Sequence, residues 1–420
     1  MMLQLDFLYG FFSFTDLHNI MLANKIKRRE NMKTIKKFVA VLIASAALLS
    51  LVACAGTTTP TTTAKATAAT TVAATTAAVS AADTTKSTGG TAKVGVSMPT
   101  QSLQRWNQDG ANMKASLEKA GYTVDLQYAN DEIATQVSQI ENMITGGCTV
   151  LVIASIDGSS LGTVLADAKK ANIPVIAYDR LIMNSDAVSY YATFDNYMVG
   201  TIQGTYIVDT LKLKDTTSKF NMEIFGGSAD DNNARFFYNG AMDVLKPYID
   251  KGTLVVVSGQ VDFEKVATAA WKTQNAQDRM DNLLTANYAT GKKLDVVLCS
   301  NDSTALGVEN ALDNSGDFKV GTNWPVITGQ DCDVANTKNM IAGKQSMSVF
   351  KDTRTLANKV VEMVSAIVKG TKVEVNDTKT YDNGKGIVPT FLCTPVFADK
   401  SNYQKILIDS GYYKAADLAS

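Results

Sequence analysis

From Lys93 onward, short apolar runs alternate with longer segments of helical period, and the alternation occurs twice. Lys93–Met98, Val124–Tyr128, Val150–Ala154, Val175–Tyr178 and Tyr190–Phe194 read as strands, with helices over Trp106–Ala120, Glu132–Thr145 and Ser160–Ala171. In Glu132–Thr145, Ile133, Val137, Ile140 and Ile144 fall on one helical stripe, and Gly146-Gly147 stops it. Val150–Ala154 is apolar on both faces, as a strand buried inside a parallel sheet must be. A βαβ order of this kind predicts an α/β fold, a parallel sheet with helices on both faces.

The pattern restarts with strands at Asn221–Phe225, Leu254–Ser258, Asp295–Cys299, Val326–Thr328 and Ser346–Phe350. Helices over Asn233–Leu245, Thr268–Asn287 and Thr304–Leu312 separate them. At 420 residues the chain exceeds one ordinary domain, so a second α/β lobe of similar size is expected. The helix Thr353–Val368 follows, with Ala357, Val360, Val361, Val364 and Val368 on one face, then extended chain over Thr380–Val396 and a closing helix at Asn402–Ile408. This late return of the chain predicts several crossings between the lobes, and hence a hinge.

The N-terminal part is not fold. From Met32 the chain runs MKTIKK, then apolar from Phe38 to Leu51, then Leu51-Val52-Ala53-Cys54, which is the build of a secretory signal. The apolar run falls short of the roughly 20 residues that span a bilayer. Its ending resembles a lipobox, in which Cys54 is lipidated and becomes the mature N-terminus. We expect translation to begin at Met32, with residues 1–31 outside the native protein. From Ala55 to about Thr91 the composition collapses to Thr and Ala, with no aromatic residue, so nothing there can build a core. As a flexible stalk it would hold the body roughly 35 Å from its anchor, an arrangement favouring a Gram-positive cell surface.

Composition excludes several functions. The one histidine, His18, precedes Met32, which removes Ser-His-Asp or Cys-His catalysis and His-ligated metal from consideration. Residues 1–53 hold seven Lys/Arg and three Asp/Glu; the remainder holds 33 and 38, a net charge of −5 with no electrostatic footprint for nucleic acid. Gly226-Gly227-Ser228 lacks phosphate-loop spacing, and Asp313–Asp317 misplaces the glycine of a calcium loop and reads as a turn. No metal and no cofactor is expected. Cys148, Cys299, Cys332 and Cys393 follow no ligand spacing, and the sequence leaves a disulfide among them open.

Polar groups gather where the predicted strands end. Gln101–Trp106 follows the first strand, Asp179-Arg180 the run Pro174–Tyr178, and Asp195-Asn196 the fifth strand. In the second lobe Asp230–Asn233, Ser300–Asp302, Gln330-Asp331 and Lys351 hold the same position. Ligands of open parallel sheets bind outside the carboxyl ends of the strands. Carboxylates, amides and cations pair with vicinal hydroxyls, which both donate and accept, and Trp106 could offer a flat face to the C–H side of a pyranose. A competing reading makes Asp179 and Asp195 the acid–base pair of a carbohydrate-active enzyme.

Arg105-Trp106, IENMI (Ile140–Ile144), LVIASIDG (Leu151–Gly158), VIAYDRLI (Val175–Ile182), YYATFDN (Tyr190–Asn196), DDNNA (Asp230–Ala234), LKPYID (Leu245–Asp250), GQD (Gly329–Asp331) and NDTKTY (Asn376–Tyr381) resemble the ChvE-type multiple-monosaccharide-binding proteins. Xylose-binding proteins of ABC importers are similar, but less so. The resemblance covers Lys93–Tyr413. It implies a type I periplasmic binding protein, with two Rossmann-like lobes joined by a three-segment hinge and closing over one monosaccharide. It further implies a monomer that catalyses nothing and hands an aldohexose or aldopentose to ABC permease subunits, or presents its closed form to a sensor kinase or chemoreceptor. By motif, the sugar would meet Arg105, Trp106, Asp179 and Arg180 from the first lobe, and Asn232, Asn301, Asp331 and Lys351 from the second, with Trp271 on the wall. Ser300-Asn301-Asp302 follows the xylose pattern, which leaves the sugar's identity open. Trp324, before a strand proline, reads as structural. The expected division is a signal at 32–53, a stalk at 54–91, a first lobe of 92–196 and 351–372, and a second lobe of 197–350 and 373–420.

Overall fold

The computed structural model describes residues 92–289 and 291–419. The signal, Cys54 and the Thr/Ala-rich stretch lie outside the described residues.

The first sheet takes β1 (Lys93–Met98), β2 (Thr123–Tyr128), β3 (Val150–Ile153), β4 (Val175–Tyr178) and β5 (Val188–Phe194), and adds β11 (Thr390–Cys393) from far along the chain. Its order is β11-β5-β4-β3-β1-β2, and every pairing is parallel. Alternation along each strand divides the core in two. Val94, Val96, Val152 and Tyr178 face Met113 and Leu117 of α1 (Gln104–Lys119), with Leu356 and Val360 of α10 (Thr353–Val368). Leu151, Ile153 and Ala177 face Ile140 and Met143 of α2 (Ile133–Thr145), with Val164 and Leu165 of α3 (Gly162–Lys170).

The second sheet has the order β7-β6-β8-β9, from β6 (Phe220–Phe225), β7 (Leu254–Val256), β8 (Val296–Cys299) and β9 (Val326–Ile327). A bridge between Gln330 and Val349 carries it on to β10 (Met347–Phe350), which pairs antiparallel with β12 (Val396–Asp399). Around it stand α4 (Asn196–Thr210), α5 (Asn232–Asp250), the short α6 (Phe263–Val266), α7 (Thr273–Leu283), α8 (Asp302–Ser315) and α9 (Val334–Ala342). Helices α4 and α5 touch backbone to backbone: a Cβ on Gly200 would lie 1.9 Å from the Phe237 carbonyl oxygen. Helix α4 shows no apolar stripe in the sequence because its buried face includes Asn196, Gly200, Gln203 and Gly204, while apolar Tyr197 and Met198 stand exposed.

The chain passes between the lobes three times: at Asp195 between β5 and α4, at Lys351-Asp352 between β10 and α10, and at Thr394-Pro395 between β11 and β12. Two crossings end on helix caps. The Asp195 carboxylate accepts from the Met198 amide at 2.9 Å, and that of Asp352 from the Arg354 amide at 3.0 Å. The lobes are therefore stiff up to the crossing residues, where motion is left to concentrate.

Two expectations are corrected. Residues 373–420 do not all join the second lobe: β11 pairs with β5, and Val373, Tyr381 and Val388 pack into the first lobe's two cores. The long helix over Thr268–Asn287 is broken, because Ala270 and Trp271 take left-handed backbone (φ 53° and 56°) and Lys272 is extended. Asp313–Asp317 contains the end of α8, closed by Gly316 at φ 72°. The four described cysteines are free and buried, which answers the disulfide question.

Candidate ligand cleft

Asp179 is where the cleft is assembled. It ends β4 in left-handed backbone (φ 57°), with its amide bonded to the Ala192 carbonyl at 2.8 Å. Its own carbonyl accepts from Tyr191 Oη at 2.6 Å, Thr193 Oγ1 at 3.0 Å and Asn233 Nδ2 at 2.6 Å. The turn aims the carboxylate at Arg105 and, 3.9 Å away, at Lys351 Nζ. Burial raises the carboxyl's pKa, but the two cations outweigh it and hold Asp179 below the usual carboxylate range.

Arg105 stands in the first turn of α1 among three carboxylates. Nε donates to Asp109 Oδ2 at 2.8 Å, Nη2 to Asp179, and Nη1 reaches Asp331 of the other lobe at 3.5 Å. Asp109 is wholly buried and accepts also from Tyr178 Oη, so the guanidinium is held from behind. Burial drives the Asp109 carboxyl upward. Arg180 donates through Nη1 to the carbonyls of Ser155 and Ile156, both at 3.1 Å, and its Nε lies 3.1 Å from Asp231 of the second lobe. Both guanidinium carbons lie over the buried Trp106 ring, at 4.9 and 5.0 Å from its centroid.

From the second lobe comes Asp331, left-handed at φ 98° and 3.1 Å from Lys351 Nζ. Asn301 caps α8, its Oδ1 accepting from the Thr304 amide at 3.0 Å while Nδ2 donates to Ser303 Oγ. Trp271 rests on Gly227, where a Cβ would meet the indole at 1.9 Å. The two left-handed residues Ala270 and Trp271 thus turn a large ring onto a bare stretch of backbone. Gly226-Gly227-Ser228 serves this contact.

One cavity brings together Arg105, Trp106, Asp179, Arg180, Trp271, Asn301, Asp331 and Lys351. Asn232 is the exception. With Asp231 as N-cap, accepting from the Asn233 amide, α5 starts so that Asn233 lines the cavity and Asn232 does not. Asp231, Gln330, Ser303, Asp333, Leu103 and Phe237 also line it. The sequence signalled the polar ones only as members of strand-end runs. Asp195 is a helix cap outside the lining, so the alternative pair of Asp179 with Asp195 is not formed.

Charges nearly cancel: Arg105, Arg180 and Lys351 stand against Asp179, Asp231 and Asp331. Burial, reinforced by Asp331, pushes Asp333 up to about 7. Four lining atoms are buried without a hydrogen bond: the donors Trp271 Nε1 and Arg180 Nε, the latter with only its ion pair to Asp231, and the acceptors Gln330 Oε1 and Asp333 Oδ1. An unpaired buried polar atom is costly, so these are groups suited to a ligand. The open space among these side chains is about 30 Å3, room for a water or two, so a larger ligand is admitted only as the lining side chains rearrange. Among the described residues no cluster of three or more His, Cys, Asp or Glu could hold a metal ion.

Two parallel-sheet lobes crossed three times by the chain, with a polar cleft at the carboxyl ends of their strands, define a type I periplasmic binding protein. The chain belongs to that family: the periplasmic binding protein domain matches residues 94–372, and the similarities below place it in the ChvE-type group. It is 54% identical over 325 residues to the multiple sugar-binding periplasmic receptor ChvE of Rhizobium radiobacter, covering 77% of this chain and 92% of that protein. It is 39% identical over 328 residues to the D-xylose-binding periplasmic protein of Escherichia coli (strain K12), covering 78% of this chain and 92% of that one. An ABC transporter solute-binding protein from Clostridium phytofermentans, solved with bound β-D-glucose, is 68% identical with a TM-score of 0.75, over 78% of this chain and 100% of that chain.

Proposed function

We propose that this protein captures a monosaccharide, an aldohexose or aldopentose, outside the cytoplasm and delivers it to an ABC permease. Lipid on Cys54 would hold it to the cell membrane, with the stalk favouring a Gram-positive surface. The observation that carries the reading is the cleft's inventory of near-cancelling charges and unpaired donors and acceptors, contributed by both lobes. A neutral molecule covered in hydroxyls satisfies such a surface without leaving a net charge buried. The named ligands of the relatives support the same class. The sugar-contacting groups are Arg105, Trp106, Asp179, Arg180, Asn233, Trp271, Asn301, Asp331 and Lys351. They bind and release without chemistry, a reading supported by the relatives named for sugar binding and by the engagement of Asp179 with Arg105 and Lys351 and of Asp331 with Lys351. The relative named a receptor favours one further role, presenting the closed form to a membrane sensor kinase or chemoreceptor.

Isothermal titration of the protein with a panel of aldopentoses and aldohexoses tests the reading. One-to-one binding with the sugar recovered unchanged is the expected result; silence across the panel, or turnover, overturns it. For the anchor, Cys54→Ser should release the protein from the membrane fraction.

A further inference from the structure

We infer that Tyr413, with Tyr412 beside it, is a latch between the lobes that positions two groups of the cleft, Arg105 and Asp331. The inference rests on the monosaccharide reading for its ligand and on geometry for everything else. Tyr413 belongs to the second lobe, packed with Met340, Phe350, Leu407 and Leu418. Its hydroxyl accepts from Gln104 Nε2 at 2.9 Å and Gln108 Nε2 at 3.1 Å, both on α1 of the first lobe, and donates to the Cys332 carbonyl at 2.8 Å. That uses both lone pairs and the proton of one buried hydroxyl. Tyr412 Oη donates to Gln108 Oε1 at 3.1 Å, and the Val334 amide donates to Gln104 Oε1 at 3.1 Å.

Each end of this contact adjoins the cleft. Gln104 and Gln108 are one helical turn apart and flank Arg105 and Asp109, so fixing them fixes the turn that carries the guanidinium. Cys332 follows Asp331, and both are left-handed non-glycine residues (φ 54° and 98°), a costly backbone that must be held by its surroundings. The Tyr413 hydroxyl is one of its holders. When the lobes part, the bond to Cys332 stays within the second lobe, while the glutamine bonds cross between lobes and are exchanged for water. The glutamine bonds therefore act on the closed state alone, while the Cys332 bond supports the second lobe in either state.

Tyr413→Phe deletes the hydroxyl and keeps the ring. With D-glucose in stopped-flow binding, the dissociation rate should rise about ten-fold, as expected for losing two or three hydrogen bonds, with the association rate nearly unchanged. The melting temperature of this ligand-free variant should fall slightly, since the bond to the Cys332 carbonyl lies within the second lobe and is lost whether the lobes are open or closed. The double variant Gln104→Ala/Gln108→Ala keeps the Cys332 bond, and should raise the dissociation rate alike while melting at the parent's temperature. Adding Tyr413→Phe to it should raise that rate little further, since the bonds between the lobes are already gone. Spin labels on Lys114→Cys and Lys246→Cys, in a Cys54→Ser background, report the lobe separation without sugar, and Tyr413→Phe should lengthen it. An unchanged dissociation rate, a triple variant whose rate effects add, or a rate effect in the glutamine variant matched by a falling melting temperature overturns the latch. If the parent binds no glucose, the tightest sugar of the panel takes its place; if it binds none of the panel, the functional reading has failed separately, and the spin-label distance alone decides: unchanged, it overturns the latch.

Discussion

At the scale of single residues, the cleft depends on a few side chains whose charge is set by their neighbours. Asp179 is ionised because Arg105 and Lys351 overcome its burial. Asp179→Asn keeps the shape and tolerates the left-handed backbone, but it leaves Arg105 and Lys351 short of a carboxylate. Sugar affinity measured by titration should fall by about 100-fold or more, while circular dichroism stays that of a folded protein. Glu309 on α8 is the opposite case: burial lifts its carboxyl to about 8, with Asn339 Nδ2 donating to Oε2 at 2.5 Å. An acid whose folded pKa is raised keeps a proton that the unfolded chain has released, so its contribution is full below the unfolded value of 4.5 and is lost as pH climbs towards 8. Thermal melts should accordingly be higher at pH 5 than at pH 8, and Glu309→Gln should flatten that slope. The residue types at the strand ends were legible in the sequence, since polar groups recurred after nearly every predicted strand. Which amide of Asn232-Asn233 turns inward was not, because the Asp231 cap fixes that phase and two adjacent asparagines look alike to any periodicity.

Among elements, the alternating strands and amphipathic helices were readable wherever a helix shows one apolar face, as α2 and α10 do. They failed where the buried face carries polar residues and glycine and the outer face apolar ones, as in α4, and where tertiary contact overrides local preference, as at Ala269–Trp271. The break there exists to lay Trp271 across Gly227, which places the function of an element in a contact far along the chain. Gly227→Ala tests this directly. The new methyl must displace the indole, and overpacking of this kind costs about 1–3 kcal/mol. A melting temperature lowered by several degrees, together with sugar binding weakened by at least about ten-fold, is the expected result. A variant that binds as well as the parent would remove Trp271 from the wall.

For the whole molecule, the order in which the chain visits its lobes is the governing fact. The first sheet is completed only by β11, at Thr390–Cys393, and a helix covering it, α10, arrives after the second lobe has been traversed. Two lobes were foreseeable from the restarted pattern. The return of residues 373–393 to the first was not, since a four-residue strand such as Thr390–Cys393 carries little signal of its own and declares its sheet only by pairing with β5. A chain ended at Pro389 should therefore show no cooperative melt, because it lacks the edge of one sheet and also β12 of the other. Such a layout also bears on synthesis. The first lobe's core cannot close while the ribosome still holds the residues of α10 and β11, so that half of the polypeptide stays loose and threadable for nearly the whole of its making. A protein bound for the far side of a membrane gains time in this way, since a pore that admits only an extended strand can accept it before it has become too wide to pass.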